Sequence, residues 1–261
     1  MTTQNELIIE THGGIRILTL NRPESANALS PTLSSAIVDA FIDADRDPDV
    51  RVIVLTGTGE RAFCAGMDLK LRSQADSARK RMPQPNRGRG RLTYEVVLET
   101  WKPTIAAING YAVGGGFELS MACDLRIAAD HTYFCLPEAR RGLGAQFATV
   151  MLPRLVPLAV AYELLYTGNS LDAVRAAHVG FVNQIVPASD LMTAAMDLAG
   201  QIAQNAPITL RRMKETTVRA SGMPLATALR LNEGRSPYES ADRREDISAF
   251  VEKRQPVWKG E

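Results

Sequence analysis

Ile108-Asn109-Gly110-Tyr111-Ala112-Val113-Gly114-Gly115-Gly116-Phe117-Glu118 joins the end of an apolar run to three consecutive glycines and then to a helix-forming stretch. Glycines let a backbone approach a ligand closely and adopt φ values closed to other residues. A helix start presents N–H groups without intrahelical acceptors and the positive end of the helix dipole. Together these features suit an oxyanion that develops during a reaction. Alone, the same residues would also serve as a tight strand–helix connection with no ligand. The spacing is not the dinucleotide fingerprint, because Leu119 stands where a further glycine is required. No Gly-Lys-Ser/Thr follows, so it is not a phosphate loop either.

Working outward, residues 104–108 read as the strand that feeds this turn, and 117–123 as the helix that leaves it. Residues 51–56 form another short apolar strand, followed by a second small-residue turn, Ala62-Phe63-Cys64-Ala65-Gly66-Met67-Asp68-Leu69-Lys70. Before it, 7–10 and 15–20 flank Gly13-Gly14 as a hairpin. Ser30-Pro31 opens a helix, with Leu33, Ile37, Val38, Phe41 and Ile42 at helical spacing. Residues 125–129 and 133–136 add short strands. Beyond about residue 145 the pattern turns helical, at 158–166, 171–179, 191–204 and 208–221, with one strand at 182–186. The spacing therefore predicts an α/β part followed by a mainly helical part.

Bulk properties exclude several classes. The 261 residues carry a formal net charge of +1 and are 45% hydrophobic, so neither disorder nor a global field for nucleic acid or membrane is indicated. Three cysteines, Cys64, Cys123 and Cys135, make no disulfide framework, and a reducing cytoplasm is the expected location. No signal peptide or membrane-length apolar run is visible. His12, His131 and His178 lack metal-ligand spacing.

The chain resembles the crotonase (enoyl-CoA hydratase/isomerase) superfamily. The resemblance rests on Asn21-Arg22-Pro23 with Asn27-Ala28-Leu29, on 63–69, and on Lys102-Pro103-Thr104-Ile105-Ala106-Ala107-Ile108-Asn109-Gly110. It continues through the triple glycine with Glu118, Cys123-Asp124-Leu125-Arg126-Ile127-Ala128, Pro137-Glu138, and Phe250-Val251-Glu252-Lys253-Arg254.

The resemblance implies an α/β spiral of repeated β-β-α units over 1–195 and a C-terminal helical region over 196–261 for capping and trimerisation. It implies that the backbone N–H groups of Met67 and Gly115 polarise a thioester carbonyl, and that Glu118 and Glu138 form the catalytic pair. CoA would be held by Arg22, Ala26, Ala28, Ala65, Asp68, Leu69, Lys70 and Gly114. The substrate would be an acyl-CoA, the assembly a homotrimer or dimer of trimers, and no metal or redox cofactor would be needed. Phe250, Val257 and Trp258 would anchor packing, within the chain or between chains.

One departure stands out. Family hydratases follow the second glutamate with a glycine-rich turn, whereas here the chain reads Gly142-Leu143-Gly144-Ala145-Gln146-Phe147-Ala148-Thr149. A remodelled turn is expected, with Gln146 offering an amide to a polar or branched acyl group. Residues 73–91, with six basic side chains, read as a mobile lid over the acyl pocket. They could instead bind CoA phosphates or RNA, although no aromatic is interleaved before Tyr94 for base stacking. The expected reaction is hydration of an enoyl-CoA, or the reverse dehydration. Double-bond isomerisation and CoA-ester or RNA binding with little turnover are the alternatives.

Overall fold

The structure, a computed structural model, describes residues 5–71, 73, 93–232 and 234–261. The basic segment, apart from Ser73, lies outside the described residues.

The chain opens with an antiparallel hairpin, β1 (Leu7–His12) and β2 (Ile15–Leu20). Its two-residue turn places both Gly13 and Gly14 at positive φ, +55° and +82°, as a primed turn demands. Helix α1 (Pro31–Arg46) is capped as expected: Ser30 Oγ accepts from Leu33 N–H at 2.9 Å, with proline in the first turn. It buries Leu33, Ile37, Ala40, Phe41 and Ala44. Strands β3 (Val52–Gly57) and β4 (Ala62–Cys64) follow, then α2 (Thr93–Leu98). Next come β5 (Thr104–Ile108), β6 (Tyr111–Val113) and α3 (Gly115–Ala122). Strands β7 (Leu125–Ala129) and β8 (Tyr133–Cys135) lead into a 3-10 turn, Pro137–Arg141. Helices α4 (Gln146–Leu155) and α5 (Leu158–Thr167), strand β9 (Leu171–Asp172), α6 (Ala173–His178) and β10 (Gln184–Val186) complete the sheets. The chain ends in α7 (Leu191–Ala203), α8 (Pro207–Ala220), α9 (Leu225–Ala228) and α10 (Ala241–Glu252).

Two sheets result, ordered β1-β2-β3-β5-β7-β10 and β4-β6-β8-β9. Successive windings place one strand in each: β3 then β4, β5 then β6, β7 then β8. A helix or 3-10 turn closes the last two. This is the expected β-β-α spiral.

Both faces of the large sheet are covered, so its parallel strands are apolar on both sides rather than alternating. In β3, Ile53 and Leu55 join the layer that holds Leu33, Phe41, Phe63, Phe117 and Phe134. Val52 and Val54 point the other way, onto Leu191, Ala195 and Ala199 of α7. A division between residues 195 and 196 therefore falls inside a helix whose two halves share one apolar layer.

The C-terminal tail is tied back to this body. Trp258 Nε1 donates to Gln204 O at 2.6 Å, and Arg51 Nη2 donates to Trp258 O at 2.9 Å. Trp258 thus packs within the chain, whereas Phe250 and Val257 remain 84% and 67% exposed. Among the described residues no helix is long and apolar enough to cross a membrane.

Candidate active site

Each glycine of the triplet admits a different neighbour. Gly114 caps α3 at φ +55°, ψ −122°, a mirror-image extended conformation that glycine enters freely. A Cβ there would lie 2.7 Å from Glu138 Oε1. A Cβ on Gly115 would meet the Tyr94 hydroxyl at 2.5 Å, and one on Gly116 the Cys64 carbonyl oxygen at 2.0 Å. The run is thus a crossing point for a carboxylate, a phenol and a strand.

The second small-residue turn abuts the first. Gly66, at φ +82°, has room for no side chain, because a Cβ would lie 2.5 Å from Val113 O and 2.9 Å from Gly115 N. Met67 forms an isolated parallel bridge with Leu29. Leu29 N–H donates to Gly66 O at 2.7 Å, and Asp68 N–H to Leu29 O at 3.2 Å. In that pattern the peptide groups of Met67 itself face away from Leu29. As the first residue of α3, Gly115 has an N–H with no carbonyl one turn back to accept it. Both residues line a pocket of about 300 Å³.

Glu118 and Glu138 line the same pocket. Glu118 is buried, and its Oε1 accepts from Ala148 N–H in the first turn of α4 at 2.9 Å. Burial holds its carboxyl above the usual 4.5, and the nearby Glu138 adds to this. The Ala148 and Phe147 N–H groups and the Tyr94 hydroxyl, all donating to it, pull the other way. Glu138 is half-buried, and its Oε2 is shielded with no hydrogen-bond partner among the described residues. Burial raises its carboxyl too, opposed by its own N–H and the Arg141 charge. The two acids thus share a pocket but differ in company.

Tyr94 was not legible as a site residue. Its ring packs on Phe147, with centroids 5.2 Å apart, and its hydroxyl reaches Glu118. Burial first, then the Glu118 charge, drive that phenol well above its ordinary range. A single tyrosine just after a basic segment carries no periodic signal, so only the fold reveals it. Arg141 and Leu143 also line the pocket.

The segments expected to hold CoA are laced together beside the pocket. Ala65 N–H donates to Ala26 O at 3.0 Å. Ala26 and Asn27 adopt left-handed φ of +53° and +54°. Asn27 stabilises the turn by donating from Nδ2 to Ala62 O (2.8 Å) and Thr58 O (3.1 Å) and accepting from Arg22 N–H (3.0 Å). The Arg22 guanidinium donates to Ala28 O at 2.6 Å and pairs with Asp68 at 3.0 Å and Glu6 at 3.2 Å. Arg22 and Asp68 therefore brace this ladder against each other. Ala28 is buried within it, while Lys70 is exposed. Ala65, Leu69 and Gly114 reach the pocket wall directly.

The segment 142–149 differs from expectation. Leu143 and Gly144 do form pocket wall, but Gln146 begins α4 and faces solvent. It does not offer its amide to the pocket. The chain is helical from Gln146, and Glu118 accepts from the first turn of this helix, which stabilises its N-terminus.

Comparison with known proteins gives the family. The family model for enoyl-CoA hydratase/isomerase matches residues 10–261. A carnitinyl-CoA dehydratase of Citrobacter koseri is 39% identical over 257 residues, covering 95% of this chain and 96% of that protein. One of Salmonella agona is 38% identical over 262 residues, covering 97% and 98%. The crystal structure of an enoyl-CoA hydratase from Bacillus anthracis superposes with a TM-score of 0.88 at 36% identity, covering 99% of this chain and 100% of that one. An enoyl-CoA hydratase from Mycobacterium marinum gives 0.87 at 35%, with the same coverage. The chain thus belongs to the enoyl-CoA hydratase/isomerase family, within the crotonase superfamily.

Proposed function

We propose that the protein adds water across the C2–C3 double bond of an enoyl-CoA thioester, or removes it from a 3-hydroxyacyl-CoA. The observation that carries this reading is the pair of carboxylates, Glu118 and Glu138, in one pocket with Met67 and Gly115. The thioester oxygen would accept from the N–H groups of Met67 and Gly115. Each such donor contributes on the order of 10²–10³-fold by stabilising enolate charge. Glu118, surrounded by donors, is suited to accept a proton from water as its oxygen bonds to C3. Glu138, with a partnerless oxygen, is suited to hold the proton delivered to C2. Solvent would restore the starting protonation between turnovers. Written so, the reaction uses no metal or redox cofactor, because the thioester enolate itself stores the charge. Ala26, Ala28, Ala65, Leu69 and Lys70 would hold the CoA moiety, with Arg22 and Asp68 bracing them.

The relatives named carnitinyl-CoA dehydratase favour the dehydration direction and a substituted acyl group. Isomerisation, which needs one carboxylate, leaves the second acid without a task. The same reading expects a homotrimer or dimer of trimers, for which Leu225, Leu229, Tyr238 and Phe250, 74–85% exposed, supply apolar surface. The deciding experiment is a panel of trans-2-enoyl-CoA and 3-hydroxyacyl-CoA esters, carnitinyl-CoA included. Loss or gain of the conjugated thioester absorbance is followed together with the mass change of one water. Double-bond migration without water transfer on every active member would sink the reading.

A further inference from the structure

Among the described residues a concentration of positive charge lies away from the acyl pocket. A cleft of about 390 Å³ opens at the N-terminal ends of β3 and β5, where α8 and the C-terminal tail meet them. Arg51, Lys102, Arg211, Arg212, Arg235 and Lys259 line it, with Arg46 at the end of α1, against one lining carboxylate among the described residues, Glu215. That carboxylate is engaged by Arg219 at 2.9 Å. The whole chain has a net charge of only +1, so this is segregation rather than general basicity.

What distinguishes these cations from solvated surface charges is how they are held. Arg51 donates to Trp258 O at 2.9 Å, and Arg235 to Gly260 O at 3.1 Å. Arg212 donates to Leu231 O at 3.3 Å and to Asn232 Oδ1 at 3.2 Å. Lys102 donates to Ala44 O at 2.6 Å and to Asp47 O. Neutral acceptors orient a cation without cancelling its charge. Among the described residues, Arg211 alone of the six pairs with a carboxylate, Asp45, at a long 3.7 Å. Burial first, then the Arg211 charge, push the Lys102 ammonium down to about 8, while the Asp45 and Asp47 charges oppose the shift.

We propose that this cleft is a second anion site, which takes a small organic phosphate with two or more negative charges. Fixed guanidinium donors match phosphate oxygens in pairs. Pro48, Val50, Pro103 and Ile208 give the same cleft apolar wall for the organic part. The site is separate from the acyl pocket. The pocket lies past the C-terminal ends of β3 and β5, and the six residues of β3 span roughly 20 Å.

The test is isothermal titration of the full chain with inorganic pyrophosphate, with and without saturating CoA. We expect one site that survives CoA, weakens with salt, and weakens about tenfold or more in Arg235→Ser/Lys259→Ser, through loss of two charge-assisted contacts. Enoyl-CoA turnover without pyrophosphate should not change in that variant. The control is Arg154→Ser/Arg230→Ser, which removes equal charge elsewhere. No binding, equal weakening in the control, or displacement by CoA would each overturn the proposal. Displacement would place pyrophosphate in the CoA site instead.

Discussion

The backbone N–H of Ala148 meets Oε1 of Glu118 at 2.9 Å, so the first turn of one helix holds the carboxylate of another. Glu138, in the same pocket, has an oxygen with no such partner among the described residues. The asymmetry follows from position. Glu118 projects from α3 toward the start of α4, whereas Glu138 sits in a 3-10 turn that offers its carboxylate its own N–H and the charge of Arg141.

Glu118→Gln and Glu138→Gln should each lower kcat/KM for hydration about 10²–10⁴-fold. They should also stabilise the fold at neutral pH. Both carboxyls are raised in the folded state above 4.5, so between 4.5 and the folded value the native protein holds more protons than the unfolded chain. Stability therefore falls as pH rises through that window. Melting curves should show a higher Tm for each variant at pH 7, and the gain should vanish below pH 4.5. A Tm unchanged at both pH values would contradict the linkage.

Tyr94→Phe keeps the ring against Phe147 but removes a donor that favours ionised Glu118. The carboxyl of Glu118 should rise further. The acid limb of the kcat/KM profile should then move to higher pH, so that activity drops more at pH 6 than at pH 8. A uniform loss across pH would mean that Tyr94 only fills space.

Gly116→Ala and Gly114→Ala should separate fold from function. The first drives a methyl 2.0 Å from a backbone oxygen of β4, which cannot yield without moving a strand. A loss of about 3 kcal/mol is expected from such overpacking. The second presses on the end of a flexible side chain, Glu138, and strains one residue. It should stay folded with a smaller fall in Tm, yet lose most hydration activity. Thermal melts and kinetics on the same preparations check both.

Asn27→Ala removes three side-chain hydrogen bonds and leaves alanine at φ +54°. It should destabilise by about 2–4 kcal/mol. Asn27→Gly loses the bonds without the strain, and should be better than alanine by about 1 kcal/mol. Urea unfolding midpoints measure the difference.

What the sequence reveals depends on reach. The hairpin at Gly13-Gly14, the Ser30 cap and the apolar strands of the large sheet rest on neighbouring residues and were readable. Of the small sheet only β8 was readable, as the strand at 133–136, whereas β4 and β6 have three residues each, too few for a period to show. Helix α4 was hidden by Pro153 and by its dependence on Glu118, some 30 positions earlier. The motifs identified Glu118 and Glu138 but not their inequality, which arises from Ala148 and Tyr94. Arg22, expected to hold CoA, is legible as a brace only once Asp68 and Glu6 are seen against it.

Strands β6 and β8 are hydrogen-bonded neighbours, with Val113 opposite Cys135. Gly114 and Leu136 leave their ends, and the two acids follow within a few residues on each chain. The two acid-bearing segments therefore set out one interstrand repeat apart, about 4.8 Å. The sheet acts as a ruler for the chemistry. Loops beyond it can vary, while the spacing at which the two acid-bearing segments set out stays fixed by peptide hydrogen bonds that no side-chain substitution can lengthen.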